Sequence, residues 1–458
     1  MRPKVRPWAL FGPILLLLIC LPLLRPLRHP DDVSDDEAIR LETVRSIVET
    51  GSLNIEPMNV PATAQVMRVD EKVYADQPPV MAVLLAGPYW LMRWMGYTFQ
   101  KNPVLVPYLL TVIGTTLPVA ASAGLLYRMN RLFELSRPWR TGLALLTVLG
   151  SGLVSYAVVL NPHAPAAVLV LCAAGCLIHV VQSTKPARCG GWIALSGLCA
   201  ATAITFDPAA IVLAALLALV ILAIRFRLSL RIAGVLLFLI GMVPPIVLHL
   251  VAAVPTGNLV PQSVHEDLSL VPRTPLVIPQ GEVDDEEIAS PSVWLLIGKY
   301  TNRLWSALVG SHGILSHFPL ILFGFAGILA VMHRHWPGST KMLATATGLG
   351  AVLIVLGYCA SQVQWRDGMF ASRWFIVFLP MLMYWMGAWV RRNHRRWTWC
   401  TAAALALFSV TVSLIGATNP YPRNGFDRYT VVAALMDLVQ PQHATTTTQE
   451  RVAVLGAH

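Results

Sequence analysis

Between Asp31 and Pro79 the chain reads DDVSDDEAIRLETVRSIVETGSLNI (31–55) and, after a short gap, VDEKVYADQPP (69–79). Eleven carboxylates lie in this stretch, between two strongly apolar runs. A cluster of that charge needs water, so it must stand outside any bilayer the flanking runs enter.

The rest of the chain makes the bilayer itself the expectation. Of 458 residues, 55% are hydrophobic and only 13% charged, and the mean hydropathy is +0.61. That composition belongs to a polytopic helical membrane protein rather than a soluble domain. The net charge of +10 does not indicate a nucleic-acid partner, because the basic residues fall in short clusters between apolar runs, as topology anchors do. Six of the seven cysteines (Cys20, Cys172, Cys176, Cys199, Cys359 and Cys400) sit inside apolar runs without metal-ligand spacing, which argues for packing roles.

Eleven spans are expected, with twelve as the alternative in which residues 80–92 cross. The first runs from Trp8 to Leu24, behind Arg2, Lys4 and Arg6, and has no small-residue cleavage site after it, so it reads as retained. The others lie at about 103–127, 141–160, 166–182, 191–206, 208–224, 232–254, 315–332, 342–360, 373–390 and 397–416. Residues 80–92 are apolar but short, and suit a juxtamembrane or re-entrant helix. Leaving that helix uncrossed places every basic cluster on one side and all of the 24 acidic residues except Glu134 on the other. The amino terminus is then cytoplasmic and the carboxyl terminus outside. A transmembrane domain over 1–416 carries the first outer loop (31–79) and a second (255–314), whose acidic run at 284–287 reads as a solvated loop; a polar tail follows over 417–458.

Within the first loop, Asp35 to Thr50 reads as one helix, with Ser34 to cap it, acids in its first turn and Gly51 closing it. Ile39, Val44, Ile47 and Val48 form a stripe expected to lie along the membrane, which puts Asp35, Asp36 and Glu37 at the height of lipid head groups.

These residues carry a resemblance. Asp36-Glu37 opening a helix, Gly51 fourteen residues after Glu37, and Tyr74 ahead of Pro78-Pro79 resemble the first loop of the GT-C glycosyltransferases, in the branch of the protein O-mannosyltransferases and lipid A aminoarabinose transferases. QWRDGMFASRW at 364–374 is similar to a Trp-Gly-Arg pattern entering a late span of bacterial members. Two positions depart from the pattern: Gln77 stands where a basic residue or His is usual before Pro-Pro, and the Arg after Asp-Glu is displaced to Arg40.

The resemblance implies an all-α GT-C-like membrane fold of about eleven transmembrane helices with amphipathic juxtamembrane helices in the first outer loop. It also implies an inverting transfer of a sugar from a polyprenyl-phosphate donor to a glycan, lipid or protein acceptor on the noncytoplasmic face. Asp36 is the expected catalytic carboxylate, with Asp35 and Glu37 beside it. Arg373 is the leading candidate for the donor phosphate, followed by Arg40 and Lys72, because a cation at the mouth of an apolar span is costly unless it meets an anion. Tyr74, Gln77 and His163 are further candidates for the substrate site. Asp207 reads equally as a helix cap, and His312 and His317 alone do not make a metal centre. No cofactor or metal is expected; membrane lipids are partners and nucleic acid is not. The lack of Asn-X-Ser/Thr sites fits a bacterial inner membrane. The alternative is a lipid-sugar flippase or secondary transporter without catalysis, whose ionisable groups would sit at mid-membrane and not at one face.

Overall fold

The computed structural model describes Leu16 and residues 34–55, 66–69, 72–183, 189–224, 228–256, 293–333, 335–361, 369–393, 395–422 and 428–439. The first expected span apart from Leu16, the acidic run at 284–287, residues 364–368 of the late motif and the tail beyond 439 lie outside the described residues.

Helix α1 (Asp35–Glu49) starts at the expected cap: Ser34 is extended and its Oγ accepts the Glu37 N–H at 3.3 Å, with Asp35, Asp36 and Glu37 in the first turn. It ends ahead of Gly51, which takes φ +72°. Its apolar stripe does not face lipid. Ile39 packs with Ile55 and Val73, and Leu41 and Val44 enter the main core. The buried face is shared with Glu37, Arg40 and Glu42, so α1 is docked on its own chain through polar as much as apolar contacts.

The all-α expectation meets one exception among the described residues. Strands β1 (Val66–Val69) and β2 (Lys72–Ala75) pair antiparallel, with Met67 opposite Tyr74 and Val69 opposite Lys72. Val and Tyr in a short segment suit a pleated surface, and Val73 covers Ile39 of α1. Residues 76–79 lead from β2 into α2 (Val80–Trp94), which runs beside α1. Gln77 meets Asp36 at the start of the two helices, while at their ends the Tyr89 hydroxyl donates to Glu49 Oε1 at 2.5 Å and Arg93 to the Val48 carbonyl at 2.7 Å.

The remaining helices are α3 (Leu105–Phe133), α4 (Arg137–Gly150), α5 (Leu153–Ala157), α6 (His163–Gln182), α7 (Gly190–Phe206), α8 (Ala210–Leu222), α9 (Leu228–Ala253), α10 (Val293–Val309), α11 (Ile314–His317), α12 (Ile321–Met332), α13 (Gly338–Ala360), α14 (Leu379–Tyr384), α15 (Met386–Arg392), α16 (Arg396–Thr418) and α17 (Thr430–Val439). Five of the described helices are long and apolar enough to cross a membrane; Ile297–His317 and Ile321–Met332 form a sixth candidate bent by 89°, and α7 and α8 are shorter apolar helices. Exposed Leu236, Ile240 and Leu407 give α9 and α16 the outward apolar surface that lipid requires. Helices α7 and α9 approach backbone to backbone: a Cβ on Gly197 would stand 1.9 Å from the Phe238 carbonyl oxygen, and one on Gly241 2.0 Å from that of Ala194.

Three expected spans are not single helices. The run 141–160 breaks at Gly152 (φ +78°) and sends the buried segment 153–160 into the core. The run 315–332 divides at residues 318–320 into α11 and α12. The run 373–390 is a 3-10 turn at Arg373–Phe375 followed by α14 and α15, with Pro380 at the start of α14.

Charge is sorted to the two ends of this bundle. Helix α6, of 20 residues, carries His163 at one end and Gln182 at the other, a separation of about 30 Å at 1.5 Å per residue. Arg131, His333 and Arg391 gather with Gln182. Glu134, the acid that departs from the charge pattern, pairs there with Arg391 at 2.6 Å.

Candidate active site

The end of the bundle marked by His163 is built from five distant segments. Asp36 comes from the first turn of α1, Gln77 from the connection between β2 and α2, Leu160 from the end of the buried segment, Arg373 from the 3-10 turn, and Tyr421 from beyond α16.

Arg373 Nη1 donates to Asp36 Oδ2, joining residues 337 apart in sequence. Gln77 holds the other carboxylate oxygen: its Nε2 donates to Asp36 Oδ1 at 3.0 Å and to the Asp36 carbonyl at 3.3 Å. The Gln77 Oε1 accepts Arg40 Nη2 at 2.5 Å, and Arg40 Nη1 donates to the Leu160 carbonyl at 2.8 Å. The amide thus stands between a carboxylate and a guanidinium, donating to one and accepting from the other. Burial alone would raise the Asp36 carboxyl, but the Arg373 guanidinium, helped by Arg40, outweighs it and holds the group below the ordinary carboxylate value. Burial presses the Arg40 guanidinium below its ordinary value, with Asp36 acting against that shift.

Glu37, one residue on, serves the scaffold. Its Oε1 accepts the Leu160 N–H at 2.9 Å and its Oε2 the Tyr421 hydroxyl at 3.4 Å. Leu160 therefore gives its N–H to Glu37 and its carbonyl to Arg40, clamping the first turn of α1 from both sides. Asp36, in contrast, keeps part of its side chain exposed.

His163 lies next to Arg373 through an aromatic bridge. Its ring meets Trp374 at 5.1 Å, and the Arg373 guanidinium stands 5.2 Å from the Trp374 ring. His163 Nδ1 and Asp207 Oδ2 are 2.9 Å apart, and Asp207 Oδ1 also accepts the Ala209 N–H at 3.0 Å, so the same carboxylate holds His163 and the turn that leads into α8, whose N-cap is Ala209. The Ser372 hydroxyl and the Trp374 indole N–H, on either side of Arg373, are buried with no hydrogen-bond partner among the described residues. Donors left open around a guanidinium suit an anion.

The turn carrying Arg373 is braced from the far end of the chain. Ala371 takes φ +53°, a conformation that costs an L-residue about 1 kcal/mol. It is held by its N–H to Thr430 Oγ1 at 3.1 Å and by the Phe370 N–H to the Pro420 carbonyl at 3.1 Å. Thr430 in turn meets His317 Nε2 at 2.7 Å, while His317 Nδ1 lies 2.8 Å from the Gly313 carbonyl. A carbonyl only accepts, so Nδ1 carries the proton and Nε2 takes the Thr430 hydroxyl. His317 is thereby committed to structure.

Of the other expected residues, Asp35 is the first residue of α1, next to Asp36, and Tyr74 is buried in β2. Lys72 is exposed at the end of β2 remote from Gln77, away from the Asp36 group, because the hairpin carries it outward. Among the described residues no three His, Cys, Asp or Glu side chains lie together as metal ligands. Trp374, Tyr421 and the Leu160 backbone were not foreseen. The signal for Trp374 was its place beside Arg373, whereas Tyr421 and Leu160 are joined to the site only by tertiary contacts.

No family model matches the sequence, and no curated protein matches it. Solved structures do share its fold. ArnT from Cupriavidus metallidurans bound to undecaprenyl phosphate superposes with a TM-score of 0.51 at 15% identity, over 95% of this chain and 78% of that one. The apo state of the same protein gives 0.52 at 17%, over 94% and 76%. The Archaeoglobus fulgidus oligosaccharyltransferase tethered to an acceptor peptide gives 0.51 at 12%, over 90% of this chain and 55% of that longer one.

Proposed function

We infer that this chain, whose fold is that of the GT-C membrane glycosyltransferases, is itself such an enzyme and transfers a sugar from a polyprenyl-phosphate donor to an acceptor on the noncytoplasmic face of the membrane. The observation that carries the reading is the junction of Asp36 with Arg373 and Gln77 at one end of an apolar bundle. It supports the reading because it joins in one group a carboxylate able to take the acceptor's proton and a guanidinium able to turn to the donor phosphate, the sugar then lying between them.

The acceptor hydroxyl attacks the anomeric carbon from the face opposite the phosphate, with inversion. Its proton passes to Asp36 as the new C–O bond forms. The bond from the anomeric carbon to the phosphate oxygen breaks, and its electron pair leaves on the polyprenyl phosphate. Arg373 stabilises that growing charge, with the Ser372 hydroxyl and Trp374 N–H as further donors. When Arg373 turns to the donor phosphate, Asp36 loses the partner that lowers its proton affinity and becomes a better base. Arg40 and Gln77 hold the carboxylate in place meanwhile. Guanidinium groups supply the positive charge that the leaving phosphate meets. Helices α1 and α2 lie side by side at the outer membrane boundary, and the membrane is a bacterial inner membrane.

The test is mass spectrometry of envelope glycans and lipid-linked sugars in a deletion strain complemented with wild type or Asp36→Asn at equal protein level. The expected result is a glycan restored by wild type, with its lipid-linked precursor accumulating under Asp36→Asn. Full complementation by Asp36→Asn would remove the carboxylate from catalysis, and proton- or sodium-driven flux of a lipid sugar through vesicles would favour a transporter.

A further inference from the structure

At the end of the bundle opposite Asp36, a cavity of about 700 Å³ opens among the ends of α3, α6, α12 and α15 and the start of α13. Arg131, Arg391, His333, His335, Trp336 and Thr340 are among its lining residues. Among the described lining residues Glu134 is the one carboxylate, and it is already engaged by Arg391 at 2.6 Å. Arg391 also lies 5.5 Å from the Trp336 ring.

Two features of α13 face a missing acceptor. The helix has 23 residues, yet its N-cap is Pro337 and no side chain caps its first turn. Its first N–H groups therefore have no acceptor among the described residues, at the positive end of the helix dipole. Thr340, in that same turn, is 1% exposed and lines the cavity. Its Oγ1 has no hydrogen-bond partner among the described residues. The cause is its position: a mid-helix threonine bonds the carbonyl four residues back, but here that residue is Trp336, ahead of the helix. A buried hydroxyl without a partner is costly unless a ligand completes it.

We propose that this cavity binds a phosphate group, held by the first turn of α13, the Thr340 hydroxyl and the Arg131 and Arg391 guanidiniums. A helix N-terminus with flanking guanidiniums is a general phosphate site, and the volume admits more than the phosphate alone. The phosphate belongs either to an anionic lipid head group, for which Trp336, Leu132 and Val181 supply apolar lining, or to a soluble phosphate. The site lies at the Gln182 end of α6, about 30 Å from His163 at the other end, and stands independently of the glycosyltransferase reading.

Purified full-length protein is compared with Thr340→Val and Arg131→Gln in two measurements. Native mass spectrometry counts lipid retained from nanodiscs of mixed phosphatidylcholine and phosphatidylglycerol, and thermal unfolding is followed in inorganic phosphate against chloride at matched ionic strength. Wild type retains phosphatidylglycerol in preference or gains stability in phosphate, and each variant weakens that response about tenfold. Thr340→Val alone, without ligand, unfolds no earlier than wild type. Preference for phosphatidylglycerol without a phosphate response identifies the head group, and the reverse identifies a soluble phosphate. Equal retention by wild type and Arg131→Gln, with no phosphate response in either, overturns the site even if Thr340→Val does not fold.

Discussion

Gln77 donates its amide nitrogen to Asp36 Oδ1 at 3.0 Å while its carbonyl accepts Arg40 at 2.5 Å, so one neutral side chain separates and orients the two opposite charges. Gln77→Leu keeps much of the volume but leaves the carboxylate oxygen and a buried guanidinium without that partner. A loss of about 1–3 kcal/mol in stability is expected, together with a fall in transfer activity of at least tenfold. Gln77→Glu adds a carboxylate beside Asp36 and satisfies only Arg40, so it should retain more stability than Gln77→Leu and still lose activity. Thermal unfolding and single-turnover transfer measured on the same preparations check both.

The low proton affinity of Asp36 gives the folded state a signature in acid. Its carboxyl lies below the ordinary value because Arg373 outweighs burial, so the unfolded chain binds the proton more readily. The resulting stability is fully present above the ordinary carboxylate value of about 3.9 and is lost as pH falls through the lower folded value. Unfolding temperatures measured from neutral pH down to about 3 should therefore fall more steeply for wild type than for Asp36→Asn. Curves that stay parallel over that window would show that the Asp36–Arg373 contact contributes no pH-dependent stability.

Two adjacent acids should separate by function. Glu37 accepts the Leu160 N–H at 2.9 Å and the Tyr421 hydroxyl, whereas Asp36 faces Arg373 and Gln77 with part of its side chain exposed. Glu37→Gln keeps an oxygen to accept the Leu160 N–H and should retain most of the turnover. Glu37→Leu leaves that buried N–H unpaired and should cost about 1–3 kcal/mol in stability. Asp36→Asn should fold normally and lose turnover by a factor of a hundred or more. Equal kinetic losses in Glu37→Gln and Asp36→Asn would assign both acids to chemistry.

The reach of the sequence can be followed through these residues. Ser34, the acidic first turn and Gly51 announce α1, because capping and dipole effects are local. The charge pattern groups Arg131 and Arg391 at one end of the bundle, since it acts on whole loops. Arg373 could be singled out as a cation at the mouth of an apolar run, but its contact with Asp36 could not, because hydropathy holds no information on which loops meet. The same limit hid Leu160 and Tyr421. Gln77 departs from the family pattern of a basic residue or His before Pro-Pro, although its amide can do what a single charged group cannot, donating to Asp36 while accepting from Arg40. The broken spans at Gly152 and Arg373 escaped for a related reason: an apolar run that turns inward is as hydrophobic as one that crosses.

That break at Gly152 offers the most direct test of how the core aims the site. Gly152 has φ +78°, and a Cβ there would stand 2.7 Å from Phe318 Cζ and 2.8 Å from Ile376 Cδ1. Gly152→Ala combines the left-handed backbone penalty of about 1 kcal/mol with overpacking of about 1–3 kcal/mol. Its unfolding temperature should drop accordingly. Activity should fall as well, because residues 153–160 run from this bend to Leu160, which holds Glu37 and Arg40. A second change, Phe318→Leu, relieves the contact with the Phe318 ring but neither the contact with Ile376 nor the backbone strain. The double variant should recover more stability than Gly152→Ala has and remain below Phe318→Leu alone. If the double variant matches Phe318→Leu, backbone conformation at position 152 is not what directs the segment.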